Sequence, residues 1–350
     1  MQTLTEKPRL FRVRAHELGI SIGEGQPGRW NAITDVVGVR IGHTTLIEGD
    51  FVRTGVTVLV PPELPLFAGC HRLNGNGELT GLEWVRESGL LTTPIGLTNT
   101  FSVGVVRDAI AAVSAGEDAW ALPVVGETYD GFLNDIRGQH VTAEHVHAAL
   151  QEASGDAVEE GSVGGGTGMI CHGFKGGIGT SSREVEAYTV GVLVQANYGR
   201  RNRFRVDGVP IGKLLGDRVP EPQRPDEAGS IIGVVATDAP LLPHQCDRLA
   251  QRAGLGVARM GGTGAHSSGD LFLAFATGNR GLASGERELQ LRMLSDTEIT
   301  PFYDAVIEAT EEAILNALLA AETMTGRDGN TAHALEPALL VETWERARRS

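Results

Sequence analysis

A serine that follows a glycine at the entrance to an apolar strand offers more chemistry than any other pair in this chain. Gly229-Ser230 joins the stretch 219–228 to the run Ile231-Ile232-Gly233-Val234-Val235-Ala236. With three prolines and three carboxylates, that stretch predicts an exposed linker instead of a packed element. A serine hydroxyl is a weak nucleophile at neutral pH and needs a base within hydrogen-bond reach. A chain cut after Gly229 would supply one on the same residue, because the new α-amine of Ser230 would titrate at about 7.7–8.0. Taken alone, the dipeptide is also an ordinary turn, and Gly161-Ser162 repeats it.

Other chemistries find less support. The glycine-rich segments 161–168 and 173–183 could present backbone amides to an anion. Neither ends in the Gly-Lys-Ser/Thr of a phosphate-binding loop, so both read as close-packed turns framing an active site. His140, His145 and His147 share a segment without a His-Glu-x-x-His spacing, and no metal or cofactor is expected. Cys70, Cys171 and Cys246 are too scattered for a disulfide framework, and nothing in their surroundings suggests an activated thiol.

The elements that must position Ser230 are short strands alternating with helices. Apolar runs predict strands at 56–60, 190–195, 231–236 and 271–275. Helical periodicity predicts helices at 103–115, 143–152 and 245–257, and a long one over 302–321 opened by Thr300-Pro301 and ended by Gly326. The chain has 350 residues, with 44 acidic against 30 basic, for a formal charge of −14. That balance repels phosphate backbones and anionic lipid, so neither nucleic acid nor membrane is an expected partner. The charged N-terminus lacks the apolar core of a signal peptide, and no run is long enough to span a bilayer. A cytoplasmic protein is expected.

Blocks spread along the chain carry a more specific signal. They include Asn31-Ala32-Ile33-Thr34-Asp35-Val36, Leu73-Asn74-Gly75-Asn76-Gly77-Glu78-Leu79-Thr80-Gly81, Leu97-Thr98-Asn99-Thr100-Phe101-Ser102, Glu127-Thr128-Tyr129-Asp130-Gly131, Val194-Gln195-Ala196-Asn197-Tyr198-Gly199 and Ala236-Thr237-Asp238-Ala239-Pro240-Leu241. In order and in residues the chain resembles the DmpA/BapA group of self-processing aminopeptidases, the L-aminopeptidase/D-esterase and β-aminopeptidase enzymes. The resemblance implies an α/β fold, a four-layer αββα sandwich similar to the N-terminal nucleophile hydrolases but connected differently. It also implies an α fragment, 1–229, and a β fragment, 230–350, forming one domain after cleavage. Homo-oligomers of processed αβ units are the expected assembly.

The same resemblance implies roles. Ser230 would be the nucleophile, first for cutting after Gly229 and then for forming an acyl-enzyme. Ser268 would relay or orient the proton and Asp270 would stabilise the resulting cation, although some relatives carry Glu at that position, one methylene longer. Tyr129 and Asn197 would supply oxyanion donors. Glu127 would bind the free amino group of a small peptide, amide or ester, and Trp120 would line the pocket. Read without the resemblance, Ser268-Gly269-Asp270 is a turn entering a strand, Asn197 a turn cap and Trp120 a core residue. Other activities stay open at this point: an acyltransferase of the ornithine acetyltransferase type, an amidase of non-peptide metabolites, or an uncleaved binding protein.

Overall fold

The segment that begins at Ser230 is apolar on both faces, so both of its faces must be covered. In the computed structural model, which describes residues 13–114, 121–222 and 229–349, that is what surrounds it. The strands are β1 (Arg40–Glu48), β2 (Val52–Val60), β3 (Leu66–Gly75), β4 (Leu90–Leu91), β5 (Ile95–Asn99), β6 (Val124–Thr128), β7 (Ile170–Cys171), β8 (Phe174–Lys175), β9 (Gly177–Val185), β10 (Tyr188–Asn197), β11 (Ser230–Thr237), β12 (Gly269–Ala276), β13 (Met324–Thr325) and β14 (Thr331–Ala332). The helices are α1 (Leu82–Ser88), α2 (Val103–Ser114), α3 (Ala143–Gln151), α4 (Ile211–Leu215), α5 (Pro243–Arg259), α6 (Thr300–Leu319) and α7 (Pro337–Arg349).

Two sheets stack between two helical layers. One has four strands in the order β1-β2-β5-β6, the other six in the order β4-β3-β12-β11-β10-β9. Between them lie Ile41, Leu59, Ile95 and Leu97 from the first and Leu193, Ile232, Val234 and Leu273 from the second. On the outer face of the four-stranded sheet, Val56 and Val58 meet Val106 and Ile110 of α2 and Val146 of α3. On the outer face of the other, Val192, Ile231 and Val235 meet Leu249 and Ala253 of α5 and Val306 and Ala313 of α6. The helix–sheet–sheet–helix order is the four-layer αββα sandwich that the resemblance implies. Period-two alternation along β11 divides the strand between the two cores, and the even-numbered residues, Ser230 among them, share the face that looks toward the four-stranded sheet.

Two expectations are corrected. Residues 173–183, read as a loop, run mostly as β8 and the edge strand β9. Their glycines serve close packing: a Cβ on Gly179 would collide with the Ala313 carbonyl of α6 and stand 2.8 Å from Ala317 Cβ. The long helix ends at Leu319, well before Gly326. Gly326 instead lets the chain pass the Leu133 carbonyl, where a side chain would clash, on the way into the β13–β14 turn.

Candidate active site

Three strand ends meet at Ser230. It opens β11, directly opposite Asn197, the last residue of β10, in the antiparallel ladder. On its other side it pairs with Gly269, the first residue of β12, in the parallel ladder. The Gly269 N–H points at the junction, donating to the Gly229 carbonyl at 3.2 Å and to Ser230 Oγ at 3.4 Å. Glycine is required on both sides by packing. A Cβ on Gly229 would stand 2.8 Å from the Asn197 carbonyl, and one on Gly269 would stand 2.7 Å from Gly77 Cα.

Ser268 and Asp270 flank that amide. Ser268 Oγ donates to Asp270 Oδ1 at 2.5 Å, and both residues are buried. Burial pushes the Asp270 carboxyl above the usual range, while the Ser268 hydroxyl and the Ile231 N–H pull it back. The pair lines a cavity of about 630 Å³ together with Gly229, Tyr198 and the turn 261–264, with arginines 200, 201 and 203 on its wall. Among the described residues no hydrogen bond joins Ser268 to Ser230, whose hydroxyl contacts the Gly269 amide between them.

Glu127 lies near the end of β6, each oxygen of its carboxylate accepting one hydrogen bond and keeping acceptor capacity to spare. Oε1 accepts from the Glu78 N–H at 3.0 Å and Oε2 accepts a short hydrogen bond from the Thr100 hydroxyl. Burial raises this carboxyl, and the two donors oppose the rise. One glycine separates it from the junction: a Cβ on Gly77 would stand 3.0 Å from Gly269 Cα and 3.1 Å from Glu127 Oε1.

Asn197 Nδ2 donates to the Tyr129 carbonyl at 3.0 Å, using one of its two amide protons, and its Oδ1 accepts from the Ile170 N–H at 2.8 Å. Tyr129 itself is 42% exposed, unlike the buried Glu127 two residues earlier, because the strand ends at Thr128. Its hydroxyl folds back over Gly131, where a Cβ would collide with it. The structure thus gathers Ser230, Ser268, Asp270, Asn197 and Glu127 around Gly269, with Tyr129 attached through its backbone. Trp120 lies outside the described residues. Sequence reasoning missed the Gly269 amide, the Thr100 hydroxyl and the Glu78 amide. Two of these are backbone groups, and the third is brought to Glu127 only by the pairing of β5 with β6.

With this geometry in view, a family profile described as Peptidase family S58 matches residues 31–332. The chain belongs to this family. Beta-peptidyl aminopeptidase BapA from Sphingosinicella microcystinivorans is 46% identical over 368 aligned residues, covering 96% of this chain and 93% of that protein. A solved Burkholderia sp. beta-aminopeptidase is 53% identical, with a TM-score of 0.91 over 96% of this chain and 99% of its own. The solved L-aminopeptidase D-Ala-esterase/amidase from Ochrobactrum anthropi, described as a prototype for the serine aminopeptidases and a new variant among the Ntn hydrolase fold, is 40% identical. Its TM-score is 0.89 over 96% of this chain and 99% of its own. The S58 chain described here is therefore a peptidase with the N-terminal nucleophile hydrolase fold, and the resemblance to the DmpA/BapA group is borne out.

Proposed function

We propose that this S58 peptidase cuts itself between Gly229 and Ser230 and then acts as an N-terminal-serine aminopeptidase on peptides, amides or esters that carry a free amino group. The observation that carries the reading is the Gly269 N–H, which donates to the carbonyl that must become an oxyanion during the cut. In that cut the Ser230 oxygen bonds to the Gly229 carbonyl carbon, the C–N bond breaks, and the hydroxyl proton ends on the Ser230 nitrogen. Water then hydrolyses the ester, giving a Gly229 carboxylate and a free Ser230 amine. Asp270, made more basic by burial, is the charge partner for a proton carried by Ser268.

In turnover the Ser230 amine takes the proton from its own hydroxyl as the oxygen attacks the substrate carbonyl. The acyl-enzyme forms as the amine or alcohol leaves with that proton, and water releases the acid. Glu127 receives the substrate ammonium, while the second Asn197 amide proton and the Tyr129 hydroxyl serve the oxyanion. An N-terminal β-amino residue fits this reading, since relatives at 46% and 53% identity are named for that activity. Free thiols at Cys70, Cys171 and Cys246 favour the cytoplasm, and the exposed Leu289, Leu291 and Met293 favour an assembly of processed units.

The test is the intact mass of freshly purified wild type beside Ser230→Ala. Two fragments split after Gly229 in the wild type alone support the reading. A single stable chain in both removes the α-amine base and overturns it.

A further inference from the structure

The turn that closes β3 is tied to the loop that carries Ser268. Asn74 Nδ2 donates to the carbonyls of Ala265 at 2.9 Å and His266 at 3.2 Å, and makes a short bond to that of Ser268. Asn76 Nδ2 donates to the Ser267 carbonyl at 2.8 Å, and the Asn76 N–H donates to that of Ser268 at 3.2 Å. One turn thus reaches the carbonyls of four consecutive residues, 265 to 268, with the two amide protons of Asn74 shared among three of them; the Ala265 carbonyl also accepts from the Ser268 N–H at 2.8 Å.

The ladder cannot do this work alone. Gly269 pairs with Gly75 and Asp270 with Asn74, but the β12–β3 register shifts between Asp270 and Leu271. Such an irregularity re-aims side chains and loosens the constraint that regular pairing would impose. Gly269 and Asp270 keep their parallel pairing with Ser230 and Ile231 of β11, so it is the Ser268 end, which lies before that ladder, whose orientation depends on what grips the loop from outside.

We propose that Asn74 and Asn76 are positioning residues for both reactions at Ser230, latching the 265–268 loop so that the Gly269 N–H meets the Gly229 carbonyl and the Ser268 hydroxyl meets Asp270. The proposal rests on the self-cleavage reading above. Both asparagines precede the cut and the loop follows it, so in the processed enzyme the latch joins two separate polypeptides. Among the described residues no hydrogen bond joins either asparagine to Glu127, which is held by Thr100 and Glu78.

The experiment compares wild type, Asn74→Ala and Asn76→Ala. It follows the appearance of fragments by timed intact mass, steady-state kinetics of the processed protein on a free-amine p-nitroanilide, and thermal unfolding. A displaced catalytic group costs roughly 10²-fold for about 1 Å. Processing and kcat are accordingly expected to fall about 10- to 100-fold for Asn74→Ala and several-fold for Asn76→Ala, with KM within about twofold of wild type. Asn76 is exposed and contributes one side-chain bond, so its variant decides the matter if Asn74→Ala does not fold. Processing and kcat at wild-type values in Asn76→Ala, or a KM that rises as kcat falls, would overturn the latch. A wild type that never cleaves would instead sink the self-cleavage reading itself.

Discussion

Thr100→Val keeps the shape of the side chain and removes only the hydroxyl that donates to Glu127 Oε2. The carboxylate would keep a single donor, the Glu78 N–H at 3.0 Å on the other oxygen. A hydrogen bond to a charged group is worth about 1.5–3 kcal/mol, more than a neutral one, because removing one partner leaves the buried charge with the cost of its desolvation. At about 1.4 kcal/mol per factor of ten, the loss is roughly 10- to 150-fold in whatever step uses the ionised carboxylate. In the proposed function that step is capture of the substrate ammonium, so KM for a free-amine p-nitroanilide should rise by that factor while hydrolysis of an N-acylated ester is nearly unchanged. The pH dependence adds a second check. Burial already raises Glu127, and Thr100 holds it down, so the variant titrates higher still. The acid limb of kcat/KM should move to higher pH, making the defect larger near pH 5 than near pH 8. Equal losses on both substrates, or an acid limb that stays in place, would refute the assignment of Glu127 to the amine.

Ser268→Ala removes the donor 2.5 Å from Asp270 Oδ1 and should lower both the processing rate and kcat by about 10²–10⁴, the range of general acid–base assistance, with KM little changed. Undiminished kcat in the processed fraction would contradict the relay. Asp130, next to Tyr129, is pushed by burial from 3.8 to about 7, even though the side chains of Thr54, Asn134 and Asn99 pull it down. The folded chain favours its protonated form, so its contribution to stability is full at acid pH and is lost as pH rises between those two values, by about 4 kcal/mol. Urea unfolding at pH 5 and pH 8 in a Ser230→Ala background should show a smaller loss of stability with rising pH for Asp130→Asn than for its parent, Glu160, also raised by burial to about 7, contributing equally to both.

The strands and long helices were legible because their apolar faces repeat with the right period: β10, β11, β12, α2, α3 and α5 all lie within a few residues of where periodicity puts them. Ser230 at the head of a strand was legible for the same reason. Strand order was not, since nothing local in residues 66–75 says that they will pair with residues 269–276. Gly177 and Gly179 were read as loop residues because glycine is common in turns, whereas here they admit the chain at Gly161 and helix α6. The donors to Glu127 stayed hidden because one is a backbone amide and the other is a threonine indistinguishable in sequence from its neighbour Thr98, which donates to the Gly55 carbonyl instead.

The central place of β11 in the six-stranded sheet has a consequence for the order of events in the life of the molecule. Its neighbours are β10 from before the cut and β12 from after it, and β12 in turn pairs with β3 from the first half. The proposed break at Gly229 would therefore sever the covalent link while two seams of the sheet, β10 with β11 and β3 with β12, still hold the halves together. The amide that donates to the Gly229 carbonyl belongs to β12, and it arrives only when that sheet has closed. Under the proposed self-cleavage, maturation would work as an inspection of the finished fold: a chain that has not assembled its sheet would never gain the terminal amine, and a stray peptidase would not be released from a misfolded one.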